Sequence, residues 1–195
     1  MFYLITITGA TLLIALINFI FGDVHTWLEL GSVLLWTSLG TVSVIAVDGL
    51  FAFVIRRLPE KWFAPEAKAF SVPKWEKNLY RKTKINVWKK HVPEWGCFTG
   101  FHKDALKDAA DSQYIGRFLL ESNYGVLGHI AGALFGFLIL FLPFLHPLRM
   151  ALPIAIINGI LSLLPTMILR FNTPPLLRLY HRSLSKNAKT ERTNL

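Results

Sequence analysis

Glu121 and His129 are the two side chains whose type and position best suit chemistry in this sequence. They stand in the stretch ESNYGVLGH, where a polar, strongly basic segment gives way to an uncharged apolar one. Ionisable groups at the edge of a membrane or inside it are costly, so they are candidates for function. A neutral imidazole is suited to general-base catalysis because its pKa lies near neutral pH. We therefore expect His129 and Glu121 to be catalytic.

The spacing of these two residues limits how they could act together. Eight positions on one helix correspond to about 12 Å along the axis and roughly 80° around it, which is too far for a direct hydrogen bond. They could still line one groove that runs from the membrane interface inward. Two plainer interpretations stay open: Glu121 as a partner in an interfacial salt bridge, and His129 as a histidine satisfied by helix packing.

Long uncharged stretches indicate the elements that position these residues. Apolar residues make up 53% of the chain and charged residues 17%, and the apolar residues occur in blocks long enough to cross a bilayer as helices. We expect an all-α integral membrane fold with a single membrane domain, residues 1–182, and a flexible basic tail, residues 183–195. Four transmembrane helices are predicted at 2–21, 31–55, 124–145 and 151–169, the first as a retained span and not a cleaved signal peptide.

Charge is distributed unevenly along the chain, whose formal net charge is +9. Basic residues fill 56–117 and 170–192, only Arg149 lies outside these ranges, and the predicted loop 22–30 has none. Cytoplasmic loops of membrane proteins carry an excess of Lys and Arg. We therefore expect a multi-pass cell-membrane protein with both termini in the cytoplasm. The same rule explains the positive charge, so nucleic-acid binding is not needed to explain it. No nucleic-acid recognition module is visible in the sequence.

Polar and small residues inside the predicted spans indicate helix contacts. Asp48 lies in the inner half of the second span and is either a substrate or partner group or a carboxylate satisfied by a neighbouring helix. Asn158 and Ser162 lie one turn apart on the fourth span and could hydrogen-bond to neighbours. Beside His129, a stripe of glycines predicts the close approach of another helix, so this histidine is expected to face protein. The stripe consists of Gly125, Gly128, Gly132 and Gly136.

The segment 56–123 combines aromatic side chains with many lysines. Tryptophan and tyrosine suit the headgroup layer, where ammonium groups meet lipid phosphates. We expect amphipathic helices on the inner leaflet, of which 104–120 is the clearest, and a soluble cytosolic loop is the alternative. The single cysteine, Cys97, excludes an intrachain disulfide and a thiolate metal cluster. We expect no metal and no cofactor.

Six short motifs follow one another between residues 57 and 182: RLPEKWF (57–63), WEKNLY (75–80), INVWKKHVPE (85–94), FHK (101–103), LES (120–122) with His129, and RFNTP (170–174). In this order they resemble the glycosyl-4,4'-diaponeurosporenoate acyltransferase family, membrane enzymes that attach a fatty acyl chain to a sugar on a bacterial carotenoid. Val126 departs from the family pattern, which often has a second glutamate there. LRFNT (169–173) stands where the family often has QRYNR.

The resemblance implies an acyltransferase that moves a fatty acyl group from an activated donor, expected to be acyl-CoA, to a hydroxyl of a lipid or glycolipid. His129 would remove the hydroxyl proton, and Glu121 would orient the acceptor or move the proton. A phosphate-bearing donor needs cations at the inner face, and an oxyanion needs a donor such as an amide. The expected substrate-binding residues are Trp88, Lys89, Lys103, Arg170, Asn172 and Asp48.

Two other functions fit parts of the sequence. A non-catalytic membrane subunit that docks or stabilises another membrane enzyme would use the glycine stripe and the interfacial aromatics, and it would need neither His129 nor Glu121. A transporter of lipids or small solutes is less well supported, because four short spans without a pair of broken helices give little to alternate around. The sequence does not indicate an oligomeric state.

Overall fold

The structure, a computed structural model, describes residues 2–22, 26–92 and 111–193, with side chains for 5–22, 26–92 and 111–189, and this part of the chain is helical without strands. The α-helices are α1 Phe2–Phe21, α2 Trp27–Ile55, α3 Lys74–Lys82, α4 Ile85–Trp88, α5 Ser112–Phe135 and α6 Leu152–Thr193. Turns of 3-10 helix occupy Glu60–Phe63, Lys68–Phe70, Lys89–His91 and Gly136–Phe141, and a π-helical turn occupies Pro147–Ala151.

Three helical stretches in the described residues are long and apolar enough to cross a membrane: Trp27–Ile55, Ser112–Phe141 and Pro147–Lys189. These stretches confirm the prediction of an all-helical membrane protein. The described part of the first helix, Ile5–Phe21, is apolar but shorter. Large apolar side chains are exposed along α1 and α2, as expected for helices that face lipid. A count of four spans depends on α1.

The second helix begins earlier than the predicted span at residue 31. The Thr26 amide donates to Oε2 of Glu29 at 2.9 Å, and the Glu29 amide donates to Oγ1 of Thr26 at 3.3 Å. This reciprocal pair is a capping box, which satisfies donors that the first turn of a helix leaves unpaired. The helix therefore begins at Trp27, directly after the capping threonine.

The third long helix joins two elements that the sequence analysis separated. The sequence analysis predicted a helical stretch at 104–120 and a separate span at 124–145. The first residues of the helical stretch lie outside the described part of the chain. Instead α5 runs from Ser112 to Phe135 and continues as a 3-10 turn to Phe141. The carboxylate of Asp111 accepts from the Gln113 amide at 2.8 Å and caps its start. No proline interrupts this stretch, so the polar and apolar parts form one helix.

The last helix also extends beyond its predicted limits, 151–169, and includes much of the segment predicted to be a flexible tail. It continues to Thr193 through three prolines, Pro165, Pro174 and Pro175. The amide of Asn187 hydrogen-bonds to the Ser112 hydroxyl at 3.2 Å. This contact joins the end of α6 to the start of α5 and accounts for helical order after residue 182.

The chain divides into two compact units. The first unit consists of Met1–Ile55 and Gly128–Leu164, and the second of Arg56–Leu127 and Pro165–Leu195. Both α5 and α6 contribute residues to each unit. The first unit has an apolar core whose buried members are Ile14, Val44, Ile139, Leu145, Ala151, Ile154 and Ala155. The second unit has a smaller cluster of Tyr80, Ile85 and Ile168, with Val72, Trp88, Val92, Met167 and Phe171 packed against it.

Candidate functional site

A buried ion pair between Glu76 and Arg170 lies in the second unit. Arg170 binds the carboxylate through two nitrogens, Nε to Oε1 at 2.5 Å and Nη2 to Oε2 at 2.6 Å, and Nη2 also donates to the Ser71 carbonyl at 3.1 Å. The Tyr80 hydroxyl donates to Oε1 of the same carboxylate. The side chains of Glu76 and Arg170 are only 7% and 16% exposed. Arg170, predicted to bind substrate, thus has an internal partner.

The short helix α3 sets the geometry of this pair. Glu76 and Tyr80 are four residues apart, so they share one face of the helix, and that face is buried. Burial raises the pKa of the Glu76 carboxyl, but the hydrogen bonds from Arg170 and Tyr80 and the charge of Arg170 outweigh it, so this pKa lies below its ordinary value. Burial and the adjacent carboxylate raise the pKa of Tyr80. At neutral pH the carboxyl is therefore ionised and the phenol protonated, which suits a structural role.

A groove of about 760 Å³ borders the same helix. Its lining includes the buried ring of Tyr80, the ring of Phe171 from α6 and the side chain of Ile85. Cations surround these apolar groups, and among the described residues that line the groove none is acidic. The four cationic residues are Lys74, Lys77, Arg81 and Lys84.

The other predicted substrate-binding residues of this unit have mixed surroundings. The Trp88 indole donates to the Thr83 carbonyl at 3.0 Å, and Nζ of Lys89 lies 5.4 Å from the centre of the Phe171 ring, a cation–π contact. Asn172 is half-buried, and its side chain makes no hydrogen bond in the part of the chain that the structure describes. Lys103 lies outside the described residues. The predicted role of these four side chains in binding substrate stays a prediction.

Glu121 belongs to a network of ion pairs in the second unit. Its Oε2 accepts from Arg56 at 2.8 Å and its Oε1 from Arg117 at 2.7 Å. Arg117 also pairs with Glu60 at 2.9 Å. The Glu121 side chain is 12% exposed, whereas both arginines are half exposed. This arrangement agrees with the plainer interpretation of Glu121 as a partner in a salt bridge.

The residues that follow Glu121 hold the segment after the second helix. The buried amide of Asn123 donates to the carbonyls of Phe63 at 3.0 Å and Ala64 at 3.2 Å. The hydroxyl of Tyr124 donates to the Leu58 carbonyl at 3.0 Å, and its ring stacks on Phe63 with 3.9 Å between centroids. The motifs RLPEKWF and LES, far apart in sequence, are therefore neighbours in the fold.

In the first unit, Asp48 is paired by a residue of another helix. Nδ2 of Asn158 donates to Oδ1 of Asp48 at 3.3 Å and to the Gly132 carbonyl at 3.2 Å. A Cβ at Gly132 would lie 2.9 Å from Oδ1 of Asp48, and one at Gly136 would lie 2.6 Å from Nδ2 of Asn158. The glycine stripe therefore permits the predicted close approach at these two positions. Of the two interpretations of Asp48, this contact favours the carboxylate satisfied by a neighbouring helix.

His129 lies on the face of α5 that carries Gly132 and Gly136, because residues three and seven positions on lie on the same side of a helix. Its side chain is half-buried and makes no hydrogen bond with any residue that the structure describes. This placement agrees with the prediction that it faces protein. Glu121 lies on the same helix but in the second unit, and the prediction that the two share one groove stays a prediction.

Sequence reasoning passed over the residues of the groove and of the buried ion pair. Glu76 and Tyr80 stood within the motif WEKNLY without an assigned role, and their spacing of four was the signal that they share a helix face. The sequence analysis placed the lysines around them in the headgroup layer, against lipid phosphates. Among the described residues no group of three or more His, Cys, Asp or Glu side chains is placed to hold a metal ion.

Comparison with known protein families gives a match over most of the chain. The family model described as glycosyl-4,4'-diaponeurosporenoate acyltransferase matches residues 59–182. No curated protein and no solved structure matches the chain. The matched range includes the buried ion pair, the groove and Glu121 with its partner Arg117 in the second unit, and it includes His129 in the first. Arg56, the other partner of Glu121, precedes the matched range.

Proposed function

Because the chain belongs to the glycosyl-4,4'-diaponeurosporenoate acyltransferase family, we propose that it moves a fatty acyl group from an activated thioester donor to a hydroxyl of a lipid or glycolipid. Family membership makes it an acyltransferase, and its apolar helices associate it with a membrane. The observation that carries the proposal is the match over residues 59–182. A long acyl chain and an amphipathic acceptor both partition into a bilayer, which suits an enzyme embedded there.

The proposed reaction needs a base for the acceptor hydroxyl, and we assign this role to His129. The acceptor oxygen forms an ester bond to the acyl carbon while the carbon–sulfur bond of the thioester breaks. The imidazole takes the hydroxyl proton and returns it to the leaving thiolate, so no covalent enzyme intermediate is required. Support comes from the half-buried position of His129 and from the lack of a hydrogen bond to any described residue, which leaves its ring nitrogens available to a substrate.

Ion-paired residues receive positioning roles in this proposal. Glu121 binds Arg56, which directly precedes the motif RLPEKWF, and Arg117 of its own helix. Arg170 fixes α3 through Glu76. Asn172, which has an amide without a described partner, is the candidate to contact a substrate oxygen in the second unit. Asp48 is assigned to helix packing through Asn158.

The test of this function is acyl transfer by the purified protein in detergent, with a labelled long-chain acyl-CoA and a membrane lipid extract. His129→Ala and His129→Gln should each lower the rate by a factor of about 100 or more, the range lost with a general base. The matched control is His91→Ala, which removes an exposed histidine of the second unit.

Equal product from wild type and both His129 variants would remove this residue from catalysis. If the folded wild-type protein gave no product with several donors, the docking-subunit alternative would replace the enzyme hypothesis for this chain.

We also propose four membrane spans with both termini in the cytoplasm. The basis is the length of α1, 20 residues or about 30 Å, together with the absence of Lys and Arg before Arg56. In a Cys97→Ser background, a membrane-impermeant maleimide should label Leu28→Cys in intact cells. It should label Lys68→Cys and Leu184→Cys only after permeabilisation. Labelling of Lys68→Cys in intact cells would overturn this orientation.

A further inference from the structure

The groove of the second unit gathers positive charge that no described side chain neutralises. Lys74, Lys77 and Arg81 are three and four residues apart, so they form one cationic face of α3. Lys84 lies two residues after the end of the helix and lines the same groove. Like charges at these spacings destabilise a helix, so an anion bound at such a face would relieve their repulsion.

The acidic group nearest in sequence is not available to this face. Glu76 points to the buried side of α3, where Arg170 occupies both of its carboxylate oxygens. Lys74, Lys77 and Lys84 form no ion pair with any residue that the structure describes. Of the four cations only Arg81 has a partner there, the side-chain oxygen of Asn78. Three lysines thus line an open groove to which the described residues contribute no acidic side chain.

The backbone at Lys84 is a second, independent feature of this groove. Its φ is 51° and its ψ is 44°, and in the described chain it is the one non-glycine residue with a positive φ. Lysine has no side-chain group that favours this left-handed conformation, and residues held in it against preference concentrate at ligand sites. The turn joins α3 to α4, and Lys84 and Ile85 both line the groove.

Size and apolar lining indicate what kind of anion fits. A volume of about 760 Å³ lies within the range typical of pockets for small ligands and cofactors. The ring of Phe171, which is partly exposed, supplies a surface on which a planar base can stack. We propose that this groove binds the phosphate groups of a nucleotide-linked thioester of the coenzyme A type, with Lys74, Lys77, Arg81 and Lys84 on the phosphates.

This inference rests on the proposed function, because it names the donor of that reaction. It also assigns phosphate binding to four residues that the sequence analysis did not select. Arg170 is not among them, because its guanidinium is occupied by Glu76. A phosphate could also come from an anionic lipid headgroup, but a headgroup needs neither a groove of this volume nor the aromatic surface.

The test is direct binding of coenzyme A to the full chain in phosphatidylcholine nanodiscs, by equilibrium dialysis at low ionic strength. The double variant Lys77→Gln with Lys84→Asn should bind about 100-fold more weakly, about tenfold for each charged contact that is lost. Asparagine tolerates the left-handed conformation at residue 84, so the backbone is preserved. The control Lys61→Gln with Lys68→Gln removes the same charge outside the groove and should change the dissociation constant by less than about twofold.

Comparable binding by the groove variant and wild type would overturn the proposal, provided that circular dichroism shows both folded. Binding of lipid in place of coenzyme A would also overturn the proposal. If wild type binds no coenzyme A but retains phosphatidylglycerol in native mass spectrometry, and the groove variant does not, the groove binds lipid headgroups.

Coenzyme A carries no acyl group, so its binding does not depend on catalysis, and His129→Ala should bind it as wild type does. Acyl transfer from acyl-CoA with full rate in the groove variant would reject the groove and leave the proposed function intact. Groove-dependent binding of coenzyme A in a protein without transferase activity would support the groove and reject the function.

Discussion

Replacing Arg170 with leucine should destabilise the second unit more than replacing Glu76 and Arg170 together. The single change leaves a carboxylate that is 7% exposed without its arginine, and only the Tyr80 hydroxyl remains bound to it. Removal of one partner from a buried ion pair costs about 3–5 kcal/mol. Because Arg170 keeps 16% of its side chain in contact with solvent, we place Arg170→Leu at the lower end, about 3 kcal/mol.

The double variant Glu76→Gln with Arg170→Leu removes both charges, and glutamine can still accept a hydrogen bond from Tyr80. Its cost should be about 1 kcal/mol, since no buried charge remains. Arg170→Lys keeps the charge but not the bidentate geometry, and it should lie between the two. Arg178→Leu, an exposed arginine on the same helix, should change stability by less than about 0.5 kcal/mol and is the matched control.

The dependence on pH gives this prediction a second readout. In wild type the pKa of Glu76 lies below its ordinary value, so its contribution to stability is present above that ordinary value and lost as pH falls through the folded pKa. In Arg170→Leu, burial without the arginine should raise the same pKa above its ordinary value. Acid then stabilises the variant relative to wild type. The difference in the free energy of unfolding between wild type and Arg170→Leu should therefore narrow as the pH falls from about 7 to about 4.

The assay is reversible unfolding in mixed micelles, in which a denaturing detergent is titrated into a mild one and tryptophan fluorescence is followed at both pH values. The reasoning is refuted if Arg170→Leu is as stable as Arg178→Leu at neutral pH. It is also refuted if the double variant is less stable than Arg170→Leu, because the cost would then not come from an unpaired carboxylate.

Three further predictions concern stability and activity. Gly132→Ala should destabilise the first unit by about 1–3 kcal/mol, because the new methyl group would clash with the Asp48 carboxylate. Gly128 has open space around it, so Gly128→Ala should be neutral or stabilising. Equal effects of the two substitutions in the same unfolding assay would contradict this prediction. Asn123→Ala should cost about 2–3 kcal/mol, because two carbonyls lose their donor; a cost below about 0.5 kcal/mol would argue that water replaces the amide. Glu121→Gln should cost about 1 kcal/mol of stability, since the two arginines that pair with Glu121 are half exposed. The variant should keep the rate of acyl transfer within about tenfold of wild type. A loss of about 100-fold would indicate that Glu121 is catalytic.

Local pattern was sufficient for those features of the fold that arise within one helix. Blocks of apolar residues identified the membrane helices because a spanning helix must bury every backbone polar group within itself. The glycine stripe identified the face of α5 that another helix approaches, and the contacts at Gly132 and Gly136 confirm it. Helix ends were less accurate. The capping pair Thr26 and Glu29 was present in the sequence, and attention to it would have placed the start of α2 at Trp27.

Pairings between distant segments could not be predicted from the sequence. Glu76 and Arg170 are separated by 94 positions, and whether they meet depends on how each helix is rotated. The same holds for Asp48 and Asn158, 110 positions apart. Single-sequence patterns report the exposed and buried faces of one element, but not which element covers them. The structure supplied this information and with it the difference between lysines that are merely exposed and lysines that line a groove.

The consecutive prolines of α6 have a consequence for local opening of that helix. Proline has no amide hydrogen, so Pro174 and Pro175 leave the carbonyls of Arg170 and Phe171 without the donor that a helix normally supplies four residues later. Local unfolding of the turn between these two carbonyls and the two prolines therefore breaks fewer hydrogen bonds than local unfolding of a turn of regular helix. Amide hydrogen exchange should therefore have a minimum of protection around Asn172 and Thr173, between two well-protected stretches of the same helix.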